Sequence, residues 1–456
     1  MTGSQPPEAR AGGPPEAGAG GPPEAGAGGP PEAGAGEAPA ARAGGPLRAA
    51  VVITRLEGGA GVLALRGAKA MAPEVVEPTI VTGSGSRRLL GEAAAAGIEV
   101  VVEPLLREVI APRSDLMAVR RLGALFRERN FDVVHTHCAK AGAVGRLAAR
   151  RAATPRIVHT FHGLPFHEFQ GLPRRRAYVA IERRLGRITD VALCVGAAVA
   201  AEAVRRELVA PERIRTIGVA VDGPDRARAS MSARQPDARR RARAALGLPD
   251  DAAVVGAVGR LTYQKAPEDF VAAIRELDRP GVIGVWVGGG ELAESVARRA
   301  GALQNARVIL AGERTDVLDV LPAFDVFALP SRYEGLPTAI VEAMICGVPV
   351  VASAVNAVPE LVVPGETGLL VPPQRPGLLA AAVRYLLDSP AVAARMAQAA
   401  RVRLGDQHGE PELRAALLAA YGAIPGTPAC RSLESARRPS RLAPAAPSSL
   451  SLSHYE

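Results

Sequence analysis

Aromatic residues are scarce in this sequence: Phe, Tyr and Trp make up 3% of 456 residues, so the 48% hydrophobic share is carried by Ala, Val and Leu. No uninterrupted run of about 18 apolar residues occurs, which excludes an ordinary transmembrane helix. The opening MTGSQPPEARAGG has neither the basic stretch nor the apolar stretch of a secretory signal, so a cytoplasmic protein is expected. Cysteine is rare as well. Cys138, Cys194, Cys346 and Cys430 form no CxxC pair and no spaced framework, which argues against a disulfide scaffold and for buried or idle thiols. There is no Walker A sequence and no DxD triplet. After Gly59-Ala60-Gly61, Ala64 stands where a dinucleotide fingerprint needs its last glycine, so hydride transfer is disfavoured.

Low-complexity sequence is plentiful at the ends. Residues 11–34 are three copies of AGGPPEAG, and the Gly, Pro and Ala of residues 1–46 cannot bury enough apolar surface to order that tail. The Ser-, Pro- and Arg-rich residues 425–456 are expected to be disordered for the same reason. The net charge of +9 is uneven: residues 47–221 hold 27 Lys/Arg against 16 Asp/Glu. Such a surplus suits a phosphate-rich acceptor, an anionic membrane face or nucleic acid, or is simply a solvated arginine-rich surface.

Between the tails, short β-branched runs alternate with helical patterns, the mark of parallel sheets wound by crossover helices. Strands are expected at 48–54, 79–82, 98–102, 133–137, 156–161, 191–195 and 214–219. After a charged linker at 222–248, a second set follows at 253–259, 282–287, 307–310, 326–329 and 349–352. The fold class is therefore α/β, with two doubly wound Rossmann-like domains at 47–221 and 249–404 facing a central cleft, where such folds bind ligands. A helix within 405–424 can cross back to the first domain.

The segment DVFALPSRYEGLPTAIVEAMICG reads as strand, turn and helix, with Pro337 at the first helical position and Gly347 closing it. Glu334 lies in the turn and Glu342 within the helix, and the amides of Gly335 and Leu336 are placed at its N-terminus. Two carboxylates beside such amides suit a polyhydroxylated, phosphorylated ligand. In VGRLTYQKAPEDF, Arg260 follows a strand and Lys265 sits on the next loop, so both cations can hold a diphosphate and stabilise it as a leaving group. His135 and His137 share one face of a strand, but no third metal ligand is evident. Arg174, Arg175 and Arg176, placed before a helical stretch at 177–187, join Arg183, Arg184 and Arg187 in a basic surface for an anionic membrane, for a lipid diphosphate acceptor or for solvent.

Taken with VPELVVPGETGLLVPP, these motifs resemble glycosyltransferase family 4, retaining transferases of the GT-B fold, over about residues 47–404. The resemblance implies that Glu334 contacts the transferred sugar, Glu342 the nucleotide ribose, and Arg260 and Lys265 the donor diphosphate. It implies that Gly335 and Leu336 offer amides to the sugar. Gly58 and Gly59 would form a glycine loop near donor or acceptor, and His162 a group beside the reacting sugar able to change charge near neutrality. No metal or other cofactor is implied. The expected partners are a UDP- or GDP-sugar, a sugar or lipid-linked acceptor and an anionic membrane face at the inner membrane, with no nucleic acid; cell-surface polysaccharide or glycolipid synthesis is the implied use. Three residues depart from the family: Asn356 and Ala357 replace a glycine pair, and Gly196 replaces a serine. A sugar-nucleotide epimerase and a non-catalytic binding module remain as alternatives.

Overall fold

The computed structural model describes residues 45–219, 221, 237–405 and 408–422. The expected tails lie outside these residues apart from Gly45 and Pro46, as does most of the expected linker.

Seven strands build the first sheet: β1 Leu47–Leu56, β2 Val76–Gly85, β3 Glu99–Val102, β4 Val133–His137, β5 Arg156–Phe161, β6 Val191–Val195 and β7 Ile214–Ile217. All are parallel, in the order β3-β2-β1-β4-β5-β6-β7. The second sheet contains β8 Ala253–Val258, β9 Val282–Val287, β10 Arg307–Leu310, β11 Val326–Leu329, β12 Val350–Ser353 and β13 Leu369–Val371. It is also parallel, in the order β10-β9-β8-β11-β12-β13. The central strands β4, β6, β9, β11 and β12 are buried at every position, as strands covered on both faces must be. Sequence reading does not anticipate β13, three residues long, because its apolar run is too short to show a period.

An Asp-Val pair opens three strands and sets their register. Asp132, Asp190 and Asp325 stand just before β4, β6 and β11. Their carboxylates accept the backbone N–H of Arg48, Ile157 and Val254 on the neighbouring strands at 2.9, 2.7 and 2.8 Å. Asp325 also receives the guanidinium of the fully buried Arg243 at 2.9 Å. Arg243 lies on the helix Ala238–Ala245, so this stretch of the expected linker is packed against the second sheet's domain.

In the first domain, fully buried Arg146 on the helix Ala139–Arg151 pairs with Glu182 on the helix Leu172–Gly186 at 2.7 Å. That second helix begins earlier than the sequence suggests, so Arg174, Arg175 and Arg176 lie within its first turns rather than ahead of it. The last described helix, Glu410–Tyr421, returns to the first domain. There the Tyr421 hydroxyl meets His135 Nδ1 at 2.9 Å, and Arg156 donates to the Ala420 carbonyl at 3.0 Å. Among the described residues, no single helix is long and apolar enough to cross a membrane.

Candidate functional site

Both sheets reverse strand order at one place, between β1 and β4 and between β8 and β11. Open α/β sheets bind ligands outside the carboxyl ends of the strands at such switch points. The singled-out residues follow those ends: Gly58 after β1, His162 after β5, Arg260 after β8 and Glu334 after β11.

Glu334 is the most heavily partnered group there. Its side chain is 4% exposed, forms an ion pair through Oε1 with Lys265 Nζ, and accepts the Ser331 hydroxyl at 2.6 Å. Gln264 Nε2 donates to the other oxygen at 3.3 Å and to the Tyr333 carbonyl at 3.0 Å. The backbone N–H of Glu334 donates to Asn356 Oδ1 at 2.9 Å. A buried polar side chain is costly unless its hydrogen-bonding capacity is met, and these partners also hold Glu334 in one rotamer. The cation expected to hold a diphosphate is thus shared with the carboxylate expected to hold the sugar. Ser331 and Gln264 are absent from the expected site, whereas Asn356 stands out in the sequence as a departure from the family's glycine pair. Gln264 adjoins Lys265 and Ser331 lies three residues before Glu334, but neither carries a charge that would mark it in the sequence.

Arg260 is exposed at the cleft, and its guanidinium Nε lies 3.7 Å from where a Cβ on Gly58 would stand. Gly58 and Gly59 do not form a free glycine loop: they are the first two residues of the helix Gly58–Lys69, because β1 runs into that helix with only Glu57 between. A cation beside the positive end of a helix is unfavourable by itself and favourable once an anion lies between them. On the other side of the cleft, the Thr338 hydroxyl is 3.8 Å from the Cβ position of Gly59.

The helix after Glu334 spans Thr338–Ile345 with Pro337 as its N-cap. Gly335 and Leu336 therefore precede the cap, correcting the expectation that their amides belong to the helix end. Leu336 is buried, 7% exposed. Gly335 is required by close approach: a Cβ there would stand 2.0 Å from the carbonyl oxygen of His162 in the other domain. Glu342 lies on this helix one turn beyond Thr338, half-buried.

His162 Nε2 meets His137 Nδ1 at 2.8 Å. Behind them, His135 Nε2 meets the Thr160 hydroxyl at 2.7 Å, and on the opposite face His159 Nδ1 meets Thr136 Oγ1 at 2.8 Å. Both ring nitrogens of His135 are thus engaged by side-chain hydroxyls. Burial lowers His162 to about 4, and burial followed by the repulsion of His162 lowers His135 to about 3. His162 is therefore a neutral imidazole at physiological pH, and the expectation that it changes charge near neutrality is not met. Its chemistry is hydrogen bonding. Burial likewise pushes the Cys138 and Cys194 thiols up to about 12, so neither is a nucleophile.

Two parallel doubly wound sheets with facing switch points, lined by two cations, glutamates and a neutral histidine, define a GT-B type protein. Comparison with known proteins agrees. A model described as Glycosyltransferase Family 4 matches residues 57–222, and one described as Glycosyl transferases group 1 matches residues 238–403. The chain is 32% identical over 358 residues to D-inositol 3-phosphate glycosyltransferase of Mycobacterium bovis, covering 72% of this chain and 71% of that protein. It is 32% identical over 259 residues to UDP-Gal:alpha-D-GlcNAc-diphosphoundecaprenol alpha-1,3-galactosyltransferase of Escherichia coli, a match over 56% of this chain that spans only 65% of that relative's length. The structure of Anabaena HepE in complex with UDP and glucose superposes with a TM-score of 0.70 at 19% identity, covering 83% of this chain and all of the other. The chain belongs to the group 1 glycosyltransferases of family 4.

Proposed function

We propose that this protein transfers a sugar from a nucleotide-diphosphate donor to an acceptor hydroxyl, with retention of anomeric configuration. The observation that carries the reading is Arg260 set against the positive end of the helix Gly58–Lys69, beside the Lys265–Glu334 pair. This concentrates positive potential where a diphosphate fits, and places a carboxylate next to the sugar the diphosphate carries.

In the reaction, a bond forms between the acceptor oxygen and the anomeric carbon as the bond from that carbon to the diphosphate oxygen breaks. The acceptor proton passes to the departing diphosphate oxygen, on the same face of the sugar. Arg260, Lys265 and the helix amides would stabilise the charge growing there, the role a divalent cation has in other transferases, and the reaction is therefore proposed to be metal-independent. Glu334 and neutral His162 are suited to hydroxyls of the transferred sugar, and Glu342 to the ribose. The E. coli relative is named for a diphospholipid-linked acceptor. The exposed Arg174, Arg176, Arg183, Arg184 and Arg187 fit an acceptor of that chemistry at an anionic membrane face.

The test is turnover. The purified chain is incubated with UDP- and GDP-sugars and a polyprenyl-diphosphate-linked sugar, with EDTA present, and the product's anomeric configuration is read by NMR. A retained linkage is expected. An inverted linkage, a requirement for metal, or an epimerised donor formed without acceptor would overturn the proposal.

A further inference from the structure

Glu360 reaches across the cleft from the second domain to the first. It lies on the short helix Val358–Leu361, and its carboxylate accepts the backbone N–H of Ala197 at 2.8 Å and of Ala198 at 2.6 Å. Those are the first two amides of the helix Ala197–Arg205, groups that have no acceptor within their own helix. The local N-cap is Gly196, which has no side chain to offer and stands at φ +104°, a conformation that disfavours any other residue. A Cβ on Gly196 would also lie 3.1 Å from both Glu360 oxygens. The cap that helix needs is therefore supplied by the opposite domain.

The same loop holds the donor carboxylate. Asn356, in the left-handed region at φ +44°, accepts the Glu334 N–H at 2.9 Å. Between Asn356 and Glu360, backbone bonds from Val358 to the Val355 carbonyl at 3.0 Å and from Glu360 to the Ala357 carbonyl at 3.1 Å tie the loop into one unit. One end grips the first domain and the other sets the backbone of Glu334.

We propose that the loop Ala354–Leu361 couples domain closure to the placement of Glu334, with Glu360 as a positioning residue that acts through Asn356. Closing the cleft brings a carboxylate to the positive end of a helix, where it is favoured, and opening it returns two amides and a charge to water. Glu334 is then fully held only when the domains meet. The proposal rests on the reading of Glu334 as the carboxylate that contacts the donor sugar.

Hydrogen exchange on the full chain, resolved at single amides, tests it. In the wild type Ala197 and Ala198 should exchange slowly, unlike ordinary first-turn amides. Glu360→Ala should speed them about tenfold and speed the Glu334 amide as well, while Asn356→Gly should speed Glu334 alone. Should Glu360→Ala fail to fold, Glu360→Gln keeps one acceptor oxygen and should speed all three amides by a smaller factor. Unchanged exchange at Ala197 and Ala198 in the Glu360 variants, or a change there that leaves Glu334 untouched, overturns the coupling. Binding of neither UDP nor GDP by a wild type that shows the expected exchange pattern would instead overturn the donor-site reading and leave the coupling standing.

Discussion

Tyr333 of the second domain stacks on His167 of the first, with ring centroids 4.2 Å apart and ring planes 10° from parallel. The contact adjoins Glu334 and spans the cleft, so it reports directly on closure. Burial and then Arg174 hold His167 below its ordinary value, which disfavours the charged form of the stacked imidazole. A double-mutant cycle with His167→Ala and Tyr333→Ala, followed by denaturation, should give a coupling of about 0.5–1.5 kcal/mol. Additive effects would mean that the rings do not meet in solution.

Gly335→Ala should be far more damaging than its size suggests. The added methyl would meet the His162 carbonyl at 2.0 Å, so the domains must stay apart or the loop carrying Gly335 must move. Sugar transfer is expected to fall by about a hundredfold, a cost typical of misplacing reacting groups by an ångström. Scattering should show a larger radius of gyration with thermal stability little changed. Wild-type turnover in this variant would mean that the close approach is not needed.

The buried pair Arg146–Glu182 ties two helices of the first domain together at 2.7 Å. Arg146→Leu leaves Glu182 buried without its partner and should destabilise by about 3–5 kcal/mol in urea denaturation. Adding Glu182→Leu should recover much of that loss, because two apolar side chains replace two desolvated charges. Equal loss in the single and double variants would contradict this account.

Acid should unfold the first domain early. His162 and His135, with values of about 4 and about 3, are neutral when folded but take a proton at about 6.5 when unfolded. Their contribution is fully present above that pH. It should decline as pH falls, by roughly 1.4 kcal/mol per pH unit per histidine, until each folded group itself protonates. His137 and His159 are lowered by burial in the same direction. Denaturant midpoints measured from pH 7.5 to 5 should fall steeply below 6.5, and a flat profile would show that these rings are solvated.

The frame of the molecule was legible because parallel strands buried on both faces leave unbroken Val- and Ile-rich runs. β4, β5, β6, β9, β10 and β11 occupy the expected residues. The Asp-Val strand openings are not singled out by the sequence, because their role in register appears only with the neighbouring amides in place. The charged members of the site could be found because charges at strand ends are conspicuous. Lys265 is one of three lysines in the chain, with Lys69 and Lys140. Its pairing with Glu334 could not be read, since it depends on a contact between loops 69 residues apart. Glu360 is harder still: it looks like a helix-start carboxylate of its own short helix, and caps one 163 residues earlier in the chain. The histidines show the same limit, since their spacing sets which face of the strand they share, whereas their charge state depends on depth.

The most direct test of the donor site is calorimetric titration of the full chain with UDP and GDP in EDTA, repeated on Arg260→Ala and Lys265→Ala. The account predicts metal-free binding of one nucleotide, weakened in each variant by about 1.5–3 kcal/mol, the size of a charge-assisted contact. Binding of neither nucleotide, or binding indifferent to both substitutions, would contradict it.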